Sequence, residues 1–435
     1  MVARTLTLFV VLLLAACSTP EPANGDGGLD DTGSQTESES ESLTESEIVT
    51  ETDSDSTSET STEINTDVDT SCDGVVQIPD MSFRYAIINS LECDPDIDLT
   101  GEVLADVTRL EASYFNGNPE EDCEIESIIG AQCMPNLDFV YFECVSFSDL
   151  TPLKNLQNLR TVVLSINLVT DFSPLAGHPT LTKLHSIGGQ LTNAFSLSGI
   201  TSLEELDLSG NDQLDDLTGL STLENLQSLD ISATPVSDLS ALSSLTQLKV
   251  LDLYYTDVAD LTPLSGLTNI EVVDITNTEI ANLSPLESAT KLKVLTAAGT
   301  RIASLEPLAN AASLELIYVS SGYLDEISGL ASKPNLKEAT LCCEVSDISA
   351  LADAESLEYL NVTENDISDL SPLSQGLSLE YIDFSGNQVS DLSPLINLPN
   401  LKTVWALENP IDCVEQADNI AALLENGVDL HFDCL

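Results

Sequence analysis

The chain has 435 residues, 73 acidic against 13 basic, and a formal net charge of −60. That balance opposes binding to nucleic acid or bare anionic lipid and favours a basic partner, or one bridged by divalent cations. Only three histidines occur, His178 at a back-turn position, His185 on a strand face and His431 near the carboxy terminus, places that do not bring them together into a histidine-based triad or metal cluster, so no catalytic residue, cofactor or metal is expected.

Residues 1–17 read as an export signal. Arg4 precedes the apolar run Leu6 to Ala16, which is too short for a comfortable membrane span. Leu14-Ala15-Ala16-Cys17 looks like a bacterial lipobox, and the resemblance implies that the signal is removed and the Cys17 thiol lipidated. Several acyl chains give lasting attachment where one binds only marginally. Ser18 stands where Asp is the usual signal for retention at the inner membrane, so the resemblance favours the outer membrane and display at the cell surface, with the lipid as sole membrane contact.

Residues 18–71 hold sixteen acidic residues and no Lys or Arg, among Ser, Thr, Gly and Pro. Such a stretch buries too little apolar surface to offset its chain entropy, and the expectation is a disordered linker. A neutral flexible chain of this length spans about 40 Å, and like charges extend it further. The expected role is a spacer that lifts the folded part of the chain clear of the lipid, with a tolerated low-complexity insert as the alternative.

Folding starts near Cys72. Ile78-Pro79-Asp80 followed by Phe83, Ile87 and Leu91 predicts an amphipathic helix capped by Asp80 or Ser82. Thr100 to Val107 predicts a second short helix. Val107, Leu110 and Ala112 open an irregular coil, enlarged around residues 116–122. Residues 72–112 are thus the amino-terminal cap and first coil.

From 113 to 409 one sentence repeats, clearest in LEYIDFSGNQVSDLSPLINLPN from Leu379 and LKVLDLYYTDVADLTPLSGLTN from Leu248. Its first apolar residue recurs every 22 positions from Leu137 to Leu401, except for a step of 23 from Leu203 to Leu226 and of 21 from Leu336 to Leu357. Apolar first, fourth and sixth places, such as Leu248, Leu251 and Leu253, alternate with polar residues as in a short strand with one buried face. The ninth place carries Asn or Thr, able to satisfy buried backbone groups where the coil turns inward. Pro in the back half, as in DLSPL at 391–395, opens a tight helical turn but cannot extend a strand. One strand per coil predicts a parallel sheet, and thirteen coils at about 4.8 Å give a ladder of roughly 60 Å.

These repeats resemble the leucine-rich repeat family, specifically the bacterial internalin type with 22-residue repeats and an SPL back turn. The resemblance implies an α/β solenoid: a right-handed, curved superhelix with a parallel sheet on the concave face, 3₁₀ or irregular convex turns, and a cap at each end. It also implies recognition of a protein rather than catalysis. The closing cap, 410–435, contains Ala417, Ile420, Ala421 and Leu424 at helical spacing, a stop at Asn426-Gly427, and a last strand from Val428 to Phe432.

Ten cysteines in an exported chain suggest disulfides, and with Cys17 set aside nine remain, so at least one lacks a partner within the chain. The best pair is Cys413 with Cys434, which bracket the cap helix. Cys72 with Cys93 would staple the first cap similarly, and Cys123 with Cys144 lie near one turn of adjacent coils, which leaves Cys133 open. Cys342 and Cys343 read as two small buried residues, with a strained vicinal disulfide as the alternative.

Asp207, Asp230, Asp252 and Asp274 share one strand place and form a ladder, read as a solvated row, with calcium or a basic ligand as the alternative. The binding signal is aromatic. Side chains at the second, third, fifth and seventh strand places point away from the core, and there stand Phe139, Tyr141, His185, Tyr254, Tyr318, Tyr359, Tyr381 and Trp405, with Tyr255 just beyond. Tyr and Trp dominate binding hot spots. The expectation is a lipid-anchored surface protein that binds an extracellular protein or glycan through its concave face, or, failing a ligand, an architectural envelope component.

Overall fold

A computed structural model describes residues 71–113 and 125–434. By contacts the chain divides into Met1–Ile64 and Asn65–Leu435, and every described residue lies in the second unit. The export signal, Cys17, the linker up to residue 70 and Cys123 lie outside the described residues.

The second unit is the expected solenoid. Fifteen strands form one parallel sheet in strict chain order: β1 Arg109–Ala112, β2 Phe139–Val145, β3 Thr161–Asn167, β4 Lys183–Ile187, β5 Glu205–Asp207, β6 Ser228–Asp230, β7 Val250–Asp252, β8 Val272–Asp274, β9 Val294–Thr296, β10 Leu316–Ser320, β11 Glu338–Cys342, β12 Tyr359–Asn361, β13 Tyr381–Asp383, β14 Thr403–Ala406 and β15 Asp429–Phe432. Register follows the repeat, with Asp230 opposite Asp252 and Tyr359 opposite Tyr381. Leu248, Leu251 and Leu253, at the first, fourth and sixth places of their coil, have no solvent exposure, and their counterparts in the other coils are buried. Each leucine contributes about 2 kcal/mol by leaving water, and a one-residue slip would turn the whole set outward.

Where the ninth place holds Asn or Thr, its side chain satisfies backbone groups at the inward turn. Asn387 Nδ2 donates to the Val362 carbonyl of the preceding coil (2.8 Å) and to Phe384 O (2.9 Å), while its Oδ1 accepts from the Ile367 amide (2.9 Å). Asn365 and Asn211 bridge coils in the same way. Thr256, Thr234 and Thr278 each donate one bond to the carbonyl three residues earlier in their own coil.

The back turns explain why Asp and Ser keep phase with Leu. In Asp391-Leu392-Ser393-Pro394-Leu395 the Asp391 carboxylate accepts from Ser393 N (2.9 Å), and Asp149, Asp238, Asp260 and Asp369 repeat the bond. The Ser and Thr donors hold the carboxyls of Asp238, Asp260 and Asp369 below the usual range. These aspartates are therefore part of the turn chemistry. In two coils Gly replaces the Pro of this turn. A Cβ at Gly219 would meet the Ala194 carbonyl at 2.0 Å, and one at Gly329 the Leu305 carbonyl at 1.7 Å. There adjacent coils touch closely enough for parallel bridges, Asn193 with Asp216 and Ser304 with Glu326.

Both ends are covered. Helix α1 (Met81–Leu91) is capped by Asp80, whose Oδ1 accepts from Phe83 N (2.8 Å) and whose Oδ2 accepts from Glu126 and Ser127 N. Phe83 and Ile87 close the first coil, with Phe83 edge-on to Phe142 at 6.1 Å. Helix α2 is Gly101–Leu104 and α3 is Ala417–Glu425. In α3 the buried apolar residue is Leu423, and Leu424, which the helical spacing placed on the inner face, is 54% exposed.

Three disulfides link described residues. Cys413–Cys434 brackets α3 as expected. Cys72 pairs with Cys133 rather than Cys93. The segment before α1 runs beside the 3₁₀ turn Ala131–Cys133, as the near contact of Gly130 with Ile78 shows, whereas Cys93 sits in the turn that ends α1 and donates to Leu91 O. Cys342 and Cys343, read as buried and unlinked, form a vicinal disulfide and are half-exposed where β11 ends. Cys144 is disulfide-bonded. No helix among the described residues is long and apolar enough to cross a membrane.

Candidate functional site

Outward-facing side chains form rows that run across the strands. The third-place row includes Phe139, Thr161, Lys183, Glu205, Ser228, Val250, Val272, Val294, Leu316, Glu338, Tyr359, Tyr381 and Thr403. The fifth-place row passes through Tyr141, His185, the four aspartates, Thr296, Tyr318, Asp383 and Trp405 and ends at His431.

The predicted aromatics fall into three groups. Near the amino end they are held by neighbours: the Arg109 guanidinium lies 3.9 Å over the Phe139 ring, the Tyr141 hydroxyl donates to Glu143 (3.4 Å), and His185 Nε2 lies 3.0 Å from Glu205. Burial, and then Glu143, raises the Tyr141 pKa. Hydrogen bonding from His185, aided by Lys183, holds Glu205 down at about 2. In the middle, Tyr254 and Tyr255 are 42% and 65% exposed, with ring centroids 6.2 Å apart at the sheet rim. Tyr255 adopts φ +55°, a conformation that costs an L residue with a bulky side chain about 1 kcal/mol or more. Tyr318 lies between Thr296 and Thr340 in its row.

The third group assembles. Tyr359 and Tyr381 stack at 4.6 Å with planes 5° apart, one rung of the sheet. Trp405 stacks on His431 at 3.9 Å and 10°, and His431 Nε2 meets Asp429 at 3.2 Å. Burial first, then Asp383 and Tyr359, pushes the Tyr381 pKa up, so the hydroxyl stays a donor. His431 was not among the predicted residues. Its signal was parity: the last strand continues the sheet, and His431 takes the fifth place beside Trp405.

The aspartate row is not the solvated row expected. Asp274 is 6% exposed and Asp230 and Asp252 are half-buried, beside the stripe Val250, Val272, Val294 and Leu316. Each accepts from the amide two residues on, as Asp252 does from Tyr254 N (2.9 Å). Burial raises all three carboxyls, and like charge on both sides helps push Asp252 up to about 8. No group of three or more His, Cys, Asp or Glu among the described residues is arranged to hold a metal ion.

Cations are spent elsewhere. Lys293, Lys337 and Lys402 pair with Glu271, Glu315 and Glu380, each one coil back at the second place, and Lys249 donates to Gln227. Such exposed pairs add little stability, but they neutralise the charge. Among the described residues no Lys or Arg occupies the fifth-place row.

A family model described as leucine-rich repeats in two copies matches residues 201–244, 246–288 and 377–419. Among solved structures the chain is similar to an internalin from Listeria monocytogenes, at 25% identity and TM-score 0.56, with 82% of this chain and 91% of that one covered. It is also similar to the functional domain of InlJ from Listeria monocytogenes (19%, TM-score 0.53, 77% and 80% covered) and to a leucine-rich repeat protein of Leptospira interrogans (18%, 0.52, 76% and 97%). No curated protein sequence matches. These likenesses and the 15-stranded parallel sheet make the fold a curved leucine-rich repeat solenoid, and they support a bacterial leucine-rich repeat protein.

Proposed function

We propose that this chain is a lipid-anchored bacterial surface protein that recognises an extracellular protein or glycan through the concave sheet face. The observation that carries the reading is the pair of stacks, Tyr359 on Tyr381 and Trp405 on His431, on four consecutive strands of a face that no other described element covers. Aromatic side chains that are large, already ordered by stacking and half-open to solvent lose little freedom on binding, which is the physical basis of hot spots. The solenoid is an interaction scaffold, and its likeness to an internalin supports a recognition role.

The lipidated Cys17 and surface display rest on the lipobox resemblance and are tested on intact cells. External protease should release the repeat region, whereas a chain protected until the cells are opened would favour an inward-facing architectural role. Recognition is tested with arrays of purified extracellular proteins and glycans. Tyr359→Ala/Tyr381→Ala/Trp405→Ala should abolish the signals that the unmodified chain gives, and unaltered signals would reject this face.

A further inference from the structure

The two stacks are oriented along the sheet, because each joins residues directly opposite one another on neighbouring strands. His431 on β15 covers one face of the Trp405 indole, so the other is turned toward β13, where the residue in register is Asp383. Asp383 is half-buried, accepts from Ser385 N (3.0 Å) and lies beside the Tyr381 hydroxyl, whose pKa it helps to raise. An indole face, a carboxylate one rung away and a phenol donor thus surround one spot, and no Lys or Arg among the described residues reaches it. An aromatic face beside an anion is the arrangement that attracts an organic cation, with Trp the strongest such face. Among the described residues the row holds no Lys or Arg, and the second-place lysines Lys293 and Lys337 are held by Glu271 and Glu315.

We propose that the Trp405–Asp383–Tyr381 notch seats a lysine or arginine side chain of an extended, basic segment of the partner, a proposal that rests on the concave-face reading above. A neutral sugar would use the indole face but leave the carboxylate without a counter-charge. A guanidinium or ammonium uses both.

The test immobilises the full chain at physiological salt and selects from a random dodecapeptide library on phage, with Trp405→Ala and Asp383→Asn as parallel targets. Asp383→Asn keeps the turn, since Asn361 one coil earlier makes the same bond to Thr363 N (3.1 Å), so lost binding there reports lost charge. The expected result is a set of clones, rich in Lys and Arg, whose synthetic peptides bind each variant at least tenfold more weakly. Basic clones that bind all three targets equally would show only general attraction to an acidic protein and overturn the notch. Variant-sensitive clones without Lys or Arg would overturn the cationic guest and leave concave-face recognition standing. Absence of any variant-sensitive clone would overturn both.

Discussion

The middle of the solenoid, β6 to β9, and its carboxy-terminal part, β12 to β14, share one repeat but brace it differently. In the middle the inward turn rests on Thr234, Thr256, Thr278 and Thr300, each tied only to its own coil. Toward the end it rests on Asn365, Asn387 and Asn409, each tied to its own coil and to the one before. The outward faces differ in parallel, with half-buried carboxyls beside valines in the middle and stacked aromatics at the end. The comparison teaches that the site on which recognition is proposed sits on the more cross-linked backbone, where side chains keep fixed spacing, whereas the middle stores electrostatic cost.

Asn387→Ala should weaken that contrast most. It leaves the buried Ile367 amide without its partner and takes one of two side-chain donors from each of the Val362 and Phe384 carbonyls, which keep Asn365 and Asn409, at a cost of about 3 kcal/mol in urea unfolding. A loss no larger than that of a threonine would remove the distinction between the two regions.

Asp252→Asn comes next, with a sign that depends on pH. The folded carboxyl titrates near 8 and the unfolded one near 3.9, so the folded chain keeps a proton that the unfolded chain has released. Stability of the native sequence should therefore fall as pH rises from about 4 to about 8 and change little above that. Asn in place of Asp should stabilise by on the order of 2 kcal/mol at pH 8, with the gain shrinking toward pH 4. Thermal melts of both chains across this range are the check, and parallel curves would show a solvated row after all.

Thr256→Val removes one hydroxyl without changing shape and should cost about 1 kcal/mol, since only the Leu253 carbonyl loses a bond. Smallest is Tyr255→Gly: relief of the left-handed backbone and the greater freedom of the unfolded chain nearly cancel, so the melting point should stay within the equivalent of about 0.5 kcal/mol. A large loss would mean that the Tyr255 ring holds the rim together.

The legible part of the fold and site stems from the period. Because each coil contacts its neighbours in the same way, the leucine spacing determines strand, face and register together, and Tyr359, Tyr381 and Trp405 could be placed on adjacent rungs from numbering alone. Contacts outside the period were not legible. Cys133 reaches Cys72 because the segment before α1 lies along a back turn, which spacing does not encode. The aspartates read as solvated because alternation marks them outward, but the Val stripe beside them lowers their access to water. His431 was missed because the cap strand comes after a helix rather than a repeat, although it continues the same sheet.

The most direct test compares the two aromatic groups on one protein and glycan array. Tyr359→Ala/Tyr381→Ala/Trp405→Ala should erase binding while Tyr254→Ala/Tyr255→Ala leaves it within about twofold, with both chains still folded. Binding that survives the triple change, or is lost with the mid-sheet pair instead, would contradict a recognition site at the carboxy-terminal end of the sheet.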